Sequence, residues 1–292
     1  MKDTSFTFCA DESPQAGVRR IADGSIEAAL RRARHPTRDP AEDVHFFRTT
    51  TKRLRALLQL IRPVIARTTF ERENARLKSA AMHLAPFRER SVIGTTLQAL
   101  GKTAAVLRQS GLATAPATGN RRDAMRQAAR DLEQSRRGFQ RLQIRGKGWE
   151  VIGPGLMRVY RQTRQRMKSA CSDPDDREFH RWRIRVKQLY YQLEWLELVW
   201  PNRFALMRQR LRKLGENLGA DHDLVVLCGL FEKLPATSGD AVEIKRVKRA
   251  AVKKSKRLRE ASARLGATAL DERPRQFLRH CEHHWRTWEK RG

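Results

Sequence analysis

Hydrophobic residues recur every three to four positions along almost the whole chain, which is the spacing of an amphipathic helix. No run alternates apolar and polar residues as a half-buried strand does, and good helix formers such as Arg, Ala, Leu, Glu and Lys dominate. The pattern therefore predicts an all-α protein. Its helices are expected at about 16–34, 41–62, 70–85, 87–110, 121–142, 155–171, 175–199, 202–217, 222–233, 240–265 and 272–290.

Two gaps between these helices are rich in small and turn-forming residues. They are GLATAPATGN at 111–120 and GKGWEVIGPG at 146–155. Such composition is typical of loops. The second gap lies at the midpoint of the chain, so it is the better candidate for a domain boundary.

The chain also repeats itself. The segment from His45 reads HFFRTTTKRLRALLQLIRP, and the segment from His180 reads HRWRIRVKQLYYQLEWLELVWP. At an offset of 135 residues the His, Arg, Lys and Leu positions match. A second pair, LAPFRERSVI from Leu84 and LGADHDLVVL from Leu218, follows at an offset of 134 residues. The order of the matches predicts an internal duplication, with one helical repeat at 1–148 and the other at 149–292.

Each repeated helix combines an apolar face with a basic stripe. At ~100° per residue, Arg48 and Lys52 fall within about 60° of His45, nearly opposite Leu54 and Leu58. From His45 to Arg62 there are five Lys or Arg residues and no acid. A solvated helix face normally mixes charges, because like charges four residues apart repel. A stripe of one sign that occurs twice favours binding of an anion such as phosphate.

The composition extends this expectation to the whole molecule. Sixty-one Lys and Arg residues against 32 Asp and Glu residues give a formal net charge of +29. The sequence has no signal-peptide pattern and no apolar run long enough to span a membrane. Its four cysteines are widely spaced, which suits a reducing cytoplasm. These features predict a cytoplasmic protein with a polyanionic partner, and they leave its oligomeric state open.

The motif H-x-x-R-x-x-x-K occurs twice, and each time a Leu-Ala or Leu-Gly segment with a Glu or Asp follows it. This pair of motifs resembles the CHAD family of conserved-histidine α-helical domains. The resemblance extends from about Ala16 to Trp288. It implies two antiparallel four-helix bundles related by pseudo-two-fold symmetry, with a basic groove between them. It also implies non-catalytic binding of inorganic polyphosphate, without a cofactor, by a stand-alone protein associated with polyphosphate granules.

The resemblance and the charge pattern together give a set of candidate polyphosphate-binding residues. The motif positions are His45, Arg48, Lys52, Arg53, Arg55, His180, Arg183 and Lys187. Arg88 comes from the second repeated segment, and Arg161 and Arg164 belong to a basic run ahead of the second repeat. The histidines predict tighter binding below about pH 6.5, where imidazole becomes charged.

Two other functions remain open at this point. The first is a nucleic-acid-binding helical protein, since Lys245–Arg259 contains nine Lys or Arg residues and no acid. The second is a metal-dependent phosphohydrolase of the HD type, since Asp221-His222-Asp223 follows His180. The duplication speaks against the metal site, because the first repeat has Arg88 at the position of His222.

Overall fold

The computed structural model describes residues 6–100, 120–232 and 241–291, with the side chains at 89–91 and 241 left out. Within these ranges the chain is all-α and contains no strand. The helices are α1 (Pro14–Arg34), α2 (Pro40–Ile61), α3 (Arg67–His83), α4 (Ala85–Ala99), α5 (Arg121–Gln140), α6 (Trp149–Ser172), α7 (Asp176–Trp195), α8 (Pro201–Phe231), α9 (Ala241–Ala269) and α10 (Pro274–Glu289). A single 3₁₀ turn, Arg62–Val64, follows α2.

Side-chain caps start three of these helices. The Ser13 hydroxyl accepts a hydrogen bond from the Ala16 amide at 3.2 Å, and the Asp39 carboxylate accepts one from the Ala41 amide at 2.8 Å. The Asn120 side chain does the same for α5. Each cap satisfies one of the amides that a helix leaves unpaired in its first turn. These caps define where α1, α2 and α5 begin.

The predicted break between helices 202–217 and 222–233 is wrong, because α8 continues through this stretch. Gly219 lies within α8, and the next turn is held by buried Asp221, whose carboxylate accepts a hydrogen bond from Arg259 at 3.0 Å. A glycine weakens a helix by only ~1 kcal/mol, so tertiary contacts of this kind override it. The gap at 111–120 and the end of the helix predicted at 87–110 lie outside the described residues.

The predicted start of helix 155–171 is also wrong, because α6 begins six residues earlier, at Trp149. The turn before it is made by Gly146 and Gly148, with φ angles of 87° and 48° that favour glycine. Pro154 lies in the second turn of α6. The proline therefore lies inside α6, whereas the predicted start at residue 155 places it in the loop before the helix.

Helices α2 and α7 lie at the centre of the molecule and pack against each other. Their apolar residues, including Leu54, Leu57, Trp182 and Leu189, are fully buried in the main core. The buried Gln192 amide donates a hydrogen bond to the Ala56 carbonyl at 3.1 Å, which ties the two helices together. No described helix is long and apolar enough to cross a bilayer.

A second, smaller core joins the end of α8 to α4 and α9. It contains Ile93, Leu97, Leu227, Phe231 and Val247. Because α4 also packs against α2, this second core holds α4 and the second half of α8 beside the central pair.

The helix starts follow the spacing expected of a duplication. Helices α6, α7 and α8 begin 134 to 136 residues after α1, α2 and α3, respectively. Each half contributes five of the described helices. The division into two symmetric bundles at residue 148 stays a prediction.

Replacement of Gly155 by Ala should destabilise the fold severely. A Cβ at this position in α6 would lie 1.5 Å from the Leu60 carbonyl oxygen, so α2 and α6 would have to move apart. Overpacking of this kind lowers the free energy of unfolding by roughly 3 kcal/mol. Urea denaturation of the Gly155→Ala variant measures this loss.

Gly229→Ala is the matched control, since a Cβ at Gly229 in α8 meets no atom within 4 Å. We expect it to be neutral or to stabilise by about 0.5–1 kcal/mol. Equal unfolding midpoints for the two variants would contradict the close approach of α2 and α6.

Candidate anion-binding site

The basic stripes of the two repeated helices lie side by side on one surface. Helix α2 contributes His45, Arg48 and Lys52, α7 contributes His180, Arg183 and Lys187, and α4 contributes Arg88; these seven residues are called the central cluster below. The Arg48 guanidinium donates a hydrogen bond to the Ala81 carbonyl at 2.6 Å, which fixes it against the end of α3. The apolar faces of α2 and α7 are buried, so their basic faces remain at the surface.

Lys52 shows how closely these charges approach one another. Its pKa is lowered to about 8, first by burial and then by repulsion from Arg183, Arg48, Arg88 and Lys187. By surface area the Lys52 side chain is nevertheless exposed. A side chain that is both exposed and surrounded by protein lies in a concave part of the surface. The central cluster is therefore a crowded positive surface that solvent reaches, and this surface is called the groove below.

Helix α8 forms the wall beside α7, and two glycines allow the close approach. A Cβ on Gly215 would lie 3.2 Å from the Lys187 amine nitrogen, and one on Gly219 would lie 3.7 Å from Nε of Arg183. The two long cationic side chains thus extend along the backbone of α8. A larger residue at position 215 would push Lys187 away.

Three histidines belong to this surface rather than the two expected. The rings of His180 and His222 are 4.6 Å apart between centroids. Burial and the charge of Arg183 lower the pKa of both, that of His222 to about 4. Burial and the neighbouring Arg88, Lys52 and Lys187 lower the pKa of His45. The three imidazoles are therefore mostly neutral at pH 7 in the free protein.

The positive charge of the groove has little compensation. Asp223 is a carboxylate that interacts with Arg183, Arg88 and Lys52, and burial raises its pKa despite their attraction. Glu216 interacts with Lys187. In the described part of the chain, five cationic side chains thus face these two carboxylates, and Asp176 acts on His222. The Nε atom of Arg183 and Nδ1 of His180 are buried and find no hydrogen-bond partner among the described residues.

Four of the predicted site residues are not brought to the central cluster. Arg53 forms an ion pair with Glu194 at 2.9 Å. Arg55 donates a hydrogen bond to Asn74 at 3.1 Å. Arg164 donates hydrogen bonds to the carbonyls of Leu270 and Glu272, which attach α6 to the turn before α10. Arg161 is exposed and interacts with Arg158.

The physical reason is the helical turn. Position 53 follows Lys52 by about 100°, so Arg53 lies off the narrow basic face. Arg55 is three residues after Lys52 and seven after Arg48, so periodicity alone places it with them. Its hydrogen bond to Asn74 of α3 holds it elsewhere. Arg161 and Arg164 lie on α6, on the side of α7 away from the groove. Their basic spacing alone does not reveal which neighbour they face.

Sequence reasoning missed His222 and the two glycines as parts of the site. The signal was present in LGENLGADHD at 214–223, which overlaps the segment from Leu218 and has two glycines four residues apart. Such spacing permits close packing of a side chain on one helix face. The side chain of Glu89, which corresponds to Asp223, lies outside the described residues.

The metal interpretation finds no support in this geometry. Among the described residues, no three His, Cys, Asp or Glu side chains converge to hold a metal ion. His180 and His222 are adjacent, but they are surrounded by cations. A groove with this charge attracts anions.

A comparison with protein-family models identifies a CHAD domain over residues 20–232. The chain belongs to the CHAD family. No match was found among curated proteins. The CHAD family model covers α2, α4, α7 and α8, and therefore all helices that contribute to the central cluster.

Two solved structures share the fold, one of them a CHAD domain. The CHAD domain from the plant Ricinus communis matches with a TM-score of 0.69 at 19% identity, covering 92% of this chain and 95% of that one. PptA from Streptomyces chartreusis matches with a TM-score of 0.59 at 17% identity, covering 88% of this chain and 98% of that one. At these identities the likeness establishes the fold.

Replacement of Lys52 by Gln should raise the thermal stability of the free CHAD protein at pH 7. The pKa of Lys52 is lowered from 10.5 to about 8, so its charged form is disfavoured in the folded state at every pH below about 8. That penalty is relieved as the pH rises from 8 towards 10.5. The stability gain of the variant should therefore shrink over this range, as measured by Tm in low salt.

Lys245→Gln removes the same charge from an exposed position on α9 and serves as the control. Its effect on Tm at pH 7 should be smaller. A Lys52→Gln protein that melts below the wild type at pH 7 would contradict the crowding of charge in the groove.

Proposed function

We propose that the groove binds a chain of inorganic polyphosphate through the central cluster, without catalysis. The observation that carries this proposal is the convergence of five cations from α2, α4 and α7 in a groove with few acids. Such an arrangement is unfavourable in the free protein and favourable once anions enter. Membership of the CHAD family supports it, since this family is linked to polyphosphate.

A linear polyanion suits the groove better than a single phosphate. The cations come from both repeated helices and from α4, and a chain of phosphates offers oxygens to each of them. Polyphosphate carries charge on every unit and presents oxygens on all sides. Arg48 and Arg183 offer forked donors to these oxygens, and Lys52 and Lys187 offer compact charges.

Nucleic acid is the second candidate, and α9 is the feature that favours it. Its exposed face carries Lys245, Arg249, Lys253 and Lys256 in successive turns. Backbone phosphates of duplex DNA or of RNA are contacted in this way without sequence preference.

Metal-dependent phosphate hydrolysis would require ligands that do not converge in the described residues. The proposed role is therefore that of a binding protein, including binding at polyphosphate granules.

Simultaneous replacement of His45, Arg48 and Lys52 by Gln should cripple binding of long-chain polyphosphate. Charge-assisted hydrogen bonds contribute ~1.5–3 kcal/mol each, so we expect affinity to fall by at least about a hundredfold. The slope of log K against log salt should also fall by about one unit for each phosphate contact that is lost. Titration by fluorescence anisotropy at several salt concentrations measures both quantities.

The matched control is the triple replacement of Lys245, Arg249 and Lys253 by Gln, which removes three charges from the exposed face of α9. It should keep wild-type affinity within a few fold. Equal losses in the two triple variants would mean that net charge, rather than the groove, determines binding. In that case the nucleic-acid function would be favoured.

Affinity for polyphosphate should rise as the pH falls, and most of this rise should lie below pH 6.5. Neighbouring phosphates raise the pKa of each histidine, so binding takes up protons. Affinity then increases as the pH falls from the histidine pKa in the complex to the lower histidine pKa in the free protein. This moves the expected range below the pH 6.5 that the sequence alone predicts.

Isothermal titration between pH 7.5 and about 5 follows this dependence, with buffers of different ionisation enthalpy reporting proton uptake. Replacement of His45 and His180 by Gln should flatten the profile. A profile that is equally steep in this variant would assign the proton uptake to other groups.

A further inference from the structure

A second group of arginines lies on the opposite side of α7 from the central cluster. Arg185 follows Arg183 by two residues, which is a rotation of about 200° around the helix. Around Arg185 lie Arg158 and Arg166 of α6, Arg55 near the end of α2, and Arg62 just after it. These five residues are called the lateral cluster below. Burial, and after it repulsion from the other four arginines, lowers the pKa of Arg185 to about 10.

Neutral amides hold three of these arginines in place. Arg55 donates a hydrogen bond to Asn74 at 3.1 Å, Arg158 donates one to Gln59 at 2.7 Å, and Arg185 donates one to Gln188 at 2.8 Å. An amide oxygen fixes a guanidinium without neutralising it, and each guanidinium has five N–H donors. The lateral cluster is therefore ordered by its neighbours while most of its positive charge remains available.

The remaining two arginines differ in their partners. Arg166 forms an ion pair with Glu178 at 3.1 Å. Arg62 lies over the ring of Phe70, with its guanidinium carbon 4.5 Å from the centroid. A cation–π contact of this kind leaves the guanidinium charged. Glu178 also accepts a hydrogen bond from Arg181, so one carboxylate is shared between two arginines.

A cleft opens between α6 and α7 at this cluster. Its volume is about 450 Å³, within the ~300–1,000 Å³ of small-molecule sites. Its lining combines cations with neutral hydrogen-bonding groups: Gln162, Gln165, Arg166, Lys168, Ser169 and Arg185. None of these lining residues is aromatic or aliphatic, so the cleft offers no surface on which a nucleobase or an acyl chain would pack.

We propose that this cleft is a second anion site, separate from the groove, which binds a compact inorganic oligophosphate such as pyrophosphate or tripolyphosphate. Arg166, Arg185 and Lys168 contact its oxygens directly. Arg55, Arg62 and Arg158 add attraction from the α2 side. The glutamines and Ser169 provide hydrogen bonds that charge alone does not supply. This site stands apart from the proposed polyphosphate groove and does not depend on it.

The test uses the full chain and tripolyphosphate as the probe, with titration calorimetry giving the number of sites. Replacement of Arg166 and Arg185 by Gln should weaken the lateral site at least about tenfold. The affinity for long-chain polyphosphate should remain within a few fold of wild type. ADP should bind no more tightly than pyrophosphate, because the lining has no aromatic side chain on which its base would stack.

The matched variant replaces Lys52 and Arg183 by Gln in the groove and should have the opposite effect. It should lose long-chain binding and keep tripolyphosphate binding at the lateral site. If tripolyphosphate binding in the Arg166 and Arg185 variant equals that of wild type, the lateral site does not exist. If the Lys52 and Arg183 variant keeps wild-type affinity for long-chain polyphosphate while the Arg166 and Arg185 variant loses tripolyphosphate binding, the groove assignment fails and the lateral site stands.

Thermal stability separates a binding role of Arg185 from a structural one. If Arg185 serves to bind a ligand, its charge destabilises the free protein because neighbouring arginines repel it. Arg185→Gln should therefore raise Tm in the absence of ligand. Tripolyphosphate should then raise the Tm of the wild type more than that of the variant. A variant that melts below wild type and responds equally to tripolyphosphate would show that Arg185 supports the fold.

Discussion

The arrangement of α2 and α7 is the constraint on which the rest of the structure depends. Each helix buries one face completely, and the Gln192 hydrogen bond to the Ala56 carbonyl joins the two at the centre of the molecule. Their positive residues then have no place except the remaining surface. The close approach of α6 to α2 at Gly155 keeps this pair in position. A charge pattern that is local in the sequence thereby becomes one basic surface shared by two helices.

Uncompensated charge is the consequence of this packing. Lys52 and Arg183 of the groove and Arg185 of the lateral cluster all have a lowered pKa, with burial as the largest cause. Neighbouring cations come next at Lys52 and Arg185, whereas at Arg183 the carboxylate of Asp223 opposes the shift before Arg88 adds to it. The fold therefore stores repulsion that an anion relieves. The net charge of +29 remains after all internal ion pairs are formed, and exposed pairs contribute little to stability. We therefore expect bound ligands and counterions to neutralise this charge.

Much of this could be predicted from the sequence. Helical periodicity gave the all-α class, and the repeated stripe gave His45, Lys52, Arg183 and their neighbours, because residues on one helix face stay together in any packing. The sequence did not predict that α8 is continuous, since Gly219 in the predicted break allows the approach of Arg183 rather than ending the helix. It also misplaced Arg164, whose carbonyl partners come from a distant turn. Such long-range contacts depend on packing that periodicity does not describe.

A competition titration tests the central claim most directly. Labelled long-chain polyphosphate is bound to the wild-type protein at physiological salt and then challenged with unlabelled polyphosphate, duplex DNA or RNA at equal charge. Binding in a dedicated groove predicts that only polyphosphate displaces the label efficiently, with at least about tenfold less competitor than either nucleic acid requires. Equal displacement by all three would contradict the account and leave the protein a general polyanion binder.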